Sequence, residues 1–491
     1  MINFICDDVL RWCKSYKGPK FHALLADPPA GISFMSKGWD TDHGGRDSWI
    51  ANMQAIFSAI VPHLYPGAHC IVWALPRTSH WTATALENAG LEIREIVTHV
   101  FGSGFPKSAN VSKHLDRMAG VEREVIGRKI DVSTGRPMSE KQAKQGRNGD
   151  SSEGWDRPWR SDSERLTANC VITAPATDAA KAFAGMGTAL KPASEHWIIC
   201  RKPIDGTIAE NCATYGSGAL NIDAGRIAHD EACKPMKAQS KVDSIIGQSG
   251  RYEDTTELKS NGRWPANFLL SCSHLCVGDR HDESCPIRIL GEQSGESKGS
   301  DKLGGYSYTD REYSVEGFIK KCKPNSPSNR GDTGTAARFF HQSDFSLEQQ
   351  EAIDNAASFY YCAKASRRER DSGLEGMPLI DKWMGHANQI NGSGQPAKQI
   401  QRHNPHPTVK PLKLAIYLSR LLSIPDAYAP RRILNPFGGS GTESLGALLS
   451  GQWDEIVAIE QSAEYVEIAK KRAAYWQAQM DKVQPALIEA I

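Results

Sequence analysis

The 491-residue sequence contains no apolar run near the roughly 18 to 20 residues that a membrane-crossing helix needs. Its opening stretch, MINFICDDVLRW, carries two aspartates and has no basic segment followed by an apolar one, so no secretory signal is expected. A soluble intracellular protein with no membrane partner is the expectation. An excess of one charge is also missing: 58 Lys and Arg face 57 Asp and Glu, for a net +1. That balance neither demands nor excludes a polyanionic partner, because basic groups can line one face while acidic groups cover another. The 12 cysteines are too thinly scattered for the disulfide framework of a small secreted domain, and reduced thiols are expected. No repeat of fixed period is present. What remains is a globular balance of 40% apolar and 23% charged residues in a chain too long for one ordinary core, which predicts two domains.

Short apolar runs alternate with amphipathic stretches over the first hundred residues: HALLADPP, WIANMQAIFSAIVPHL, HCIVWAL, WTATALENAGL and IREIVTHVFG. This is strand and helix alternation, and parallel strands need such crossovers to connect them. The same rhythm returns near the end, where PRRILNPFGGSGT leads into ESLGALLSG, then DEIVAIE, then a helix predicted from Ser462 to about Met480. The two ends therefore read as parts of one α/β domain, with EHWIIC as a further buried strand. Polar, Gly/Ser-rich segments at Ser139 to Glu164, Gly295 to Thr309, Lys321 to Thr335 and Gly385 to Asn404 read as loops or arms. A further helix is predicted from Ser346 to Ala357.

Asp27-Pro28-Pro29 follows the apolar run HALLA, which puts an acid at the C-terminal end of a strand, where open α/β sheets place ligands. A carboxylate and the Pro28 carbonyl form a pair of acceptors suited to an amino group whose lone pair must be drawn out of an aromatic ring. Taken alone, Asp-Pro-Pro also suits a strand-ending turn. Asn435 to Thr442, NPFGGSGT, lies between the strand RRIL and the helix ESLGALLSG; its glycines allow close backbone approach, and the helix start offers free N–H groups. Glu460 closes the next strand about 20 residues on, the place of an acid that binds ribose hydroxyls. Together the last two features describe an adenosyl pocket.

With ICDDVL (5–10), LLADPPAGISFM (24–35), FGSGFPKS (101–108), TALKPASEHW (188–197), HPTVKP (406–411) and FGGSGT (437–442) in this order, the chain resembles the permuted, β-type DNA amino-methyltransferases, in particular their large phage and prophage members. The resemblance implies an α/β fold: a Rossmann-like S-adenosylmethionine-dependent methyltransferase sheet with an inserted mixed α+β target-recognition region. It implies a catalytic half at 1–130, a polar loop or arm at 131–167, the remainder of the catalytic sheet at 168–226, target recognition at 227–404 and a cofactor-binding half at 405–491. Its activity would be methyl transfer from S-adenosyl-L-methionine to the exocyclic amine of a flipped base in double-stranded DNA, in a bacterial or phage-infected cell, with a homodimer possible and a restriction partner open. Adenine N6 is preferred because the catalytic block begins with aspartate; cytosine N4, a catalytically silent DNA-binding relative and an RNA methyltransferase stay as alternatives.

Carried over by position, the resemblance implies Asp27, Pro28 and Pro29 for catalysis. Phe437, Gly438, Gly439, Ser440, Gly441 and Thr442 would hold the methionine end of the cofactor, Glu460 its ribose and Asp7 its adenine, with Thr408, Lys410 and Pro411 flanking the same pocket. Asp7 also suits a helix cap at Asp8, and Lys410 a solvated lysine at a helix start. Two positions depart from the family. Ala30 stands where an aromatic commonly stacks on the base, a contact of roughly 1 to 3 kcal/mol; Phe34 or Trp39 is expected to supply the ring. Asn435 stands where aspartate is common, and its carbonyl oxygen is expected to orient the loop.

In the middle of the chain, GRWPAN (262–267) and FYYCAKASRRERD (359–371) interleave aromatic and basic residues. The expectation is a strand and arm along DNA, with Arg263, Arg367, Arg368 and Arg370 at phosphates, against a plain basic turn. Cys272, His274, Cys276 and Cys285 have the chemistry of a structural zinc site but an irregular spacing, and ordinary thiols are the preferred reading.

Overall fold

A computed structural model describes residues 2–32, 38–101, 108–128, 171–190, 192–226, 264–271, 285–295, 297–298, 305–307, 323–325, 333–334, 341–342, 367–377, 380–382, 400–406 and 409–488. The chain divides into two compact units. The larger comprises residues 1–103, 194–366 and 408–491, and the smaller 104–193 and 367–407.

The larger unit is built on a nine-stranded sheet. In chain order its strands are β1 (Ile2–Cys6), β2 (Phe21–Ala26), β3 (Leu64–Ala74), β4 (Glu92–Phe101), β5 (Ser194–Arg201), β6 (Phe268–Ser271), β7 (His341–Gln342), β8 (Arg432–Asn435) and β9 (Glu455–Glu460). Across the sheet they run β1-β9-β8-β2-β3-β5-β4-β6-β7. All pairings are parallel except the two made by β5. The C-terminal ends of β1, β2, β3, β4, β8 and β9 therefore share one edge with the first residues of β5. This α/β architecture is the one expected from the alternation of apolar runs, and SEHWIICR joins the sheet as expected.

Helices cover both faces, which explains why the central strands read as apolar runs and not as alternating patterns. Every residue of β2 is buried. Leu24 and Ala26 pack into one apolar cluster with Trp12 of α1 (Val9–Ser15), Trp49, Met53 and Phe57 of α2 (Arg46–Ile60) and Leu86 of α3 (Ser79–Asn88). Ala23 and Leu25 pack into the opposite one with Leu414, Leu418 and Leu421 of α4 (Leu412–Leu421). Because side chains alternate along a strand, Asp27 follows Leu25 onto the α4 side. After β8 comes the glycine turn, then α5 (Thr442–Leu449), β9 and α6 (Ala463–Ile488). Helix α6 starts within a residue of the expected place and continues past Met480.

In the smaller unit, Val125–Arg128 pairs antiparallel with Val171–Thr173. Buried Asp116 organises it, accepting from Arg123 at 2.8 Å, from the Ala176 N–H at 3.0 Å and from the Thr177 N–H at 2.9 Å. Ser108 and Thr188, one from each of two motif blocks, meet here: the Thr188 N–H donates to Ser108 Oγ at 2.8 Å, and the Ala109 N–H to Thr188 Oγ1 at 3.0 Å. Arg367–Asp371 is helical, where a strand and arm were expected. The expected helix 346–357 lies outside the described residues. Among the described residues, no helix is long and apolar enough to cross a membrane.

Candidate active site

Because β2 and β8 are parallel neighbours, they deliver Asp27 and the glycine turn to the same edge of the sheet. Asn435 fastens the two: its Nδ2 donates to the Leu25 carbonyl at 2.9 Å, while its Oδ1 accepts from Ser444 Oγ at 2.9 Å. The residue is fully buried. Its carbonyl oxygen, expected to orient the loop, is tied to the helix that follows the turn, and its amide group adds a tie to β2 that a carboxylate has no proton to make.

Lys410, just before α4, is 6% exposed and inserts its ammonium between Asp27 and the ring of Trp73. Its Nζ lies 2.9 Å from Asp27 Oδ2 and 3.0 Å from Oδ1, and 3.8 Å from the Trp73 ring centroid. The solvated-lysine alternative is thereby replaced by a buried ion pair with a cation–π contact. Burial pushes the Asp27 carboxyl up to about 6; Lys410 opposes this, and the charges of Glu195 and Asp40 add to it. Burial disfavours the Lys410 ammonium, yet Asp27 and Glu195 outweigh that and hold it above the ordinary lysine range. His99, with Nδ1 4.0 Å from Glu195 Oε2, is held down to about 4 by burial and is neutral near pH 7.

The turn itself is shaped by three glycines, by half-buried Glu460 and by buried Arg472. Gly439 and Gly441 take φ of 49° and 85°, the left-handed region that glycine enters without a Cβ penalty. Gly438 donates to the Ile459 carbonyl at 2.8 Å. Glu460 Oε2 accepts from the Gly439 N–H at 2.8 Å and Oε1 from the Ser462 N–H at 2.8 Å, which leaves lone pairs on both oxygens. Burial raises its carboxyl despite these bonds. Behind the turn, fully buried Arg472 of α6 donates to the Ser440 carbonyl, to Ser440 Oγ at 3.2 Å and to Thr442 Oγ1 at 3.3 Å. Glu443, in the first turn of α5, is 5% exposed. Its Oε1 has no hydrogen-bond partner among the described residues. Burial and then the charge of Asp27 push its carboxyl up to about 7, against its own backbone N–H, Lys410 and Arg472. Leaving such an oxygen unsatisfied costs about 1–3 kcal/mol or more, which marks the position as unusual for a purely structural residue.

Asp7 directly follows β1 beside Glu460, with its N–H on the Glu460 carbonyl at 3.1 Å. The helix cap is Asp8, not Asp7: Asp8 Oδ1 accepts from the Arg11 N–H, whereas Asp7 pairs with the Arg11 guanidinium. Ala30 is half-buried against the α4-side cluster, and Trp39 is half-buried in a short turn. Gly31 N–H donates to buried Asp40 at 3.0 Å, which fixes the chain after Pro29. Phe34, Thr408, Arg263, Cys272, His274 and Cys276 lie outside the described residues. Cys285 is fully buried ahead of the helix Pro286–Ser294. Among the described residues, no group of three or more His, Cys, Asp or Glu is placed to hold a metal. Arg370, expected at a phosphate, is buried and donates to the His406 carbonyl.

Four site residues escaped the sequence reading: Trp73, Glu195, Glu443 and Arg472. Arg472 had a signal, because helical spacing places it on one stripe with Val466, Ala469, Ala473 and Trp476, an apolar face where a charge is out of place. Glu195 had one too, as an acid near the start of an apolar strand whose first residues lie at the catalytic edge. Glu443 had none, since an acid in a first helical turn is ordinary.

No family model matches the chain, and no curated protein matches it. Among solved structures it is similar to M1.HpyAVI in complex with SAM, over 96% of this chain and 98% of that one, at 10% identity and a TM-score of 0.31. It is also similar to the PvuII DNA methyltransferase (cytosine-N4-specific), over 98% of this chain and 92% of that one, at 9% identity and a TM-score of 0.38. Both likenesses are remote, and the α/β assignment rests on the strand order described above.

Proposed function

We propose that the chain is a DNA methyltransferase that transfers the methyl group of S-adenosyl-L-methionine to the exocyclic amine of a base flipped out of duplex DNA, with adenine N6 as the preferred target and cytosine N4 as the alternative. The observation that carries this reading is the convergence of Asp27 and the glycine turn on one sheet edge, fastened by Asn435. A flipped base is required because the amine of a stacked, paired base cannot reach such an edge.

The cofactor would supply an activated methyl on a sulfonium. The residues present fit such a group: the carboxyl groups of Asp27, Glu195 and Glu443 act on Lys410, and with Arg472 acting on Glu443 three acids stand against two cations, so the pocket favours further positive charge. Glycines 438, 439 and 441 would admit the amino-acid end, and Glu460, at the tip of β9, would take the ribose hydroxyls with its remaining lone pairs. Asp7, beside it, would meet the adenine.

Asp27 and the Pro28 carbonyl would accept the two N–H bonds of the target amine and draw its lone pair out of conjugation. Asp27 accepts most strongly as a carboxylate. Lys410 holds it in that form and in one orientation, and the Trp73 ring holds Lys410. Ala30 offers no ring, so Trp39 or Phe34 would stack on the base.

The test is transfer of labelled methyl from S-adenosylmethionine to duplex DNA and to RNA by wild type and by Asp27→Ala, followed by identification of the modified nucleoside. Transfer to DNA that Asp27→Ala abolishes is expected, with N6-methyladenine as the product. Transfer to RNA alone, or cofactor binding without transfer to either, overturns the proposal.

A further inference from the structure

The proposed mechanism gives Glu443 no ligand group to bind. It is 5% exposed, it lies in the first turn of α5 directly after the glycine turn, and its Oε1 has no partner among the described residues. Three charged groups face it from the elements around it: Asp27 at the end of β2, Lys410 ahead of α4 and Arg472 from α6. Lys410 is committed to Asp27 at 2.9 Å. Arg472 binds Ser440 and Thr442 behind the turn. Glu443 Oε1 accepts a hydrogen bond from neither of them. A buried acceptor beside another carboxylate is unfavourable in the free protein, and the arrangement becomes favourable when a ligand brings a donor that carries positive charge.

Resting on the functional proposal above, we propose that Glu443 is the receptor for the ammonium group at the amino-acid end of the cofactor, an N–H of that ammonium donating to Oε1. A sulfonium carries charge but no N–H, so it does not satisfy an orphaned acceptor. The target amine has donors, but Asp27 and Pro28 already offer it two acceptors. The ammonium has both charge and donors, and Glu443 stands next to the glycines assigned to that end of the molecule. The protein would thus keep a carboxylate for the cofactor at 443, on α5, while position 435 is given over to joining β8 to β2.

The group also carries a pH signature. Its carboxyl is raised to about 7 by burial and by Asp27, so near neutral pH a bound ammonium must displace a proton. Affinity should therefore rise with pH through that value and level off above it.

The experiment is isothermal titration of the full chain and of Glu443→Gln, between pH 6 and 8.5, with three ligands and no DNA: S-adenosylmethionine, S-adenosylhomocysteine and 5′-methylthioadenosine. The second lacks the sulfonium, and the third lacks both the sulfonium and the amino-acid end, so the second and third differ by that end alone. Glu443→Gln is expected to weaken the first two by roughly 10- to 100-fold at pH 8, the scale of a charge-assisted hydrogen bond. Binding of 5′-methylthioadenosine should stay within about twofold of wild type, which also shows that the variant is folded around an intact adenosyl pocket. The wild-type rise in affinity near pH 7 should flatten in the variant. Equal weakening of all three ligands, loss confined to S-adenosylmethionine, or no loss at all overturns the assignment of Glu443. Failure of the wild type to bind any of the three overturns the functional proposal, and this inference with it.

Discussion

Asn435 and Leu25 lie 410 positions apart in the chain and are joined by a single buried hydrogen bond of 2.9 Å from the asparagine amide to the leucine carbonyl. That bond links the strand that presents Asp27 to the strand that presents the glycine turn. Replacing Asn435 by aspartate removes the donor and sets a carboxylate oxygen against a carbonyl oxygen in a site with no exposure. We expect Asn435→Asp to lose about 2–4 kcal/mol of stability, read by urea denaturation at pH 8. Asn435→Ala, which introduces no charge, should lose less. An aspartate variant as stable as wild type would remove the bond from any structural role.

Much of the fold is visible in the sequence because a strand covered on both faces must be apolar at nearly every position, as β2 is, and because short crossovers between such strands force them parallel. The meeting of Asp27 with the glycine turn was legible for the same reason: both follow strands of one sheet, and ligands gather at strand ends. Charge burial was not legible. The sequence around Lys410 reads equally as a solvated helix start, and only the arrival of Asp27 from 383 positions away makes the pocket side of Lys410 favourable. Glu443 shows the limit more sharply, since the charges that act on it, Asp27, Lys410 and Arg472, come from distant parts of the chain and nothing in its own helix announces them.

Lys410 holds Asp27 ionised, and removing it has a predictable sign. In Lys410→Met the opposing charge is gone, and burial together with Glu195 and Asp40 pushes the Asp27 carboxyl above the wild-type value of about 6. Methyl transfer at pH 7.5 should fall roughly 10²-fold or more and should recover in part as pH rises, because deprotonation restores the acceptor. Wild type should already be near its plateau there. A pH profile for the variant that superimposes on that of wild type would show that Lys410 does not control the protonation of Asp27.

Glu443 should make the folded protein less stable at alkaline than at mildly acidic pH. Its carboxyl is raised when folded, to about 7. Between the ordinary glutamate value and that point the folded state holds a proton that the unfolded chain has released, so stability falls as pH rises through the window and stays lower above it. Glu443→Gln removes the charge and should gain on the order of 2–3 kcal/mol at pH 8, shrinking towards zero near pH 4.5. Guanidinium denaturation at pH 5 and pH 8 checks this. A gain equal at both pH values would trace the effect to packing and not to ionisation. A stabilised variant that binds the cofactor less well would be a trade of stability for function at one residue.

The glycine turn can be tested at Gly441, where two independent constraints coincide. Its φ of 85° lies in the region that side chains disfavour, and an added Cβ would stand 2.9 Å from Ala469 Cβ on α6. The strain costs on the order of 1–3 kcal/mol, and the contact forces α5 and α6 apart at the point where Arg472 grips Ser440 and Thr442. Gly441→Ala should therefore lower the midpoint of thermal unfolding and weaken S-adenosylmethionine binding at least tenfold. Ala469→Gly should restore part of the stability by removing the clash while leaving the unfavourable φ in place. If the second substitution restores nothing, the helix contact carries no part of the defect, and backbone conformation alone explains the glycine.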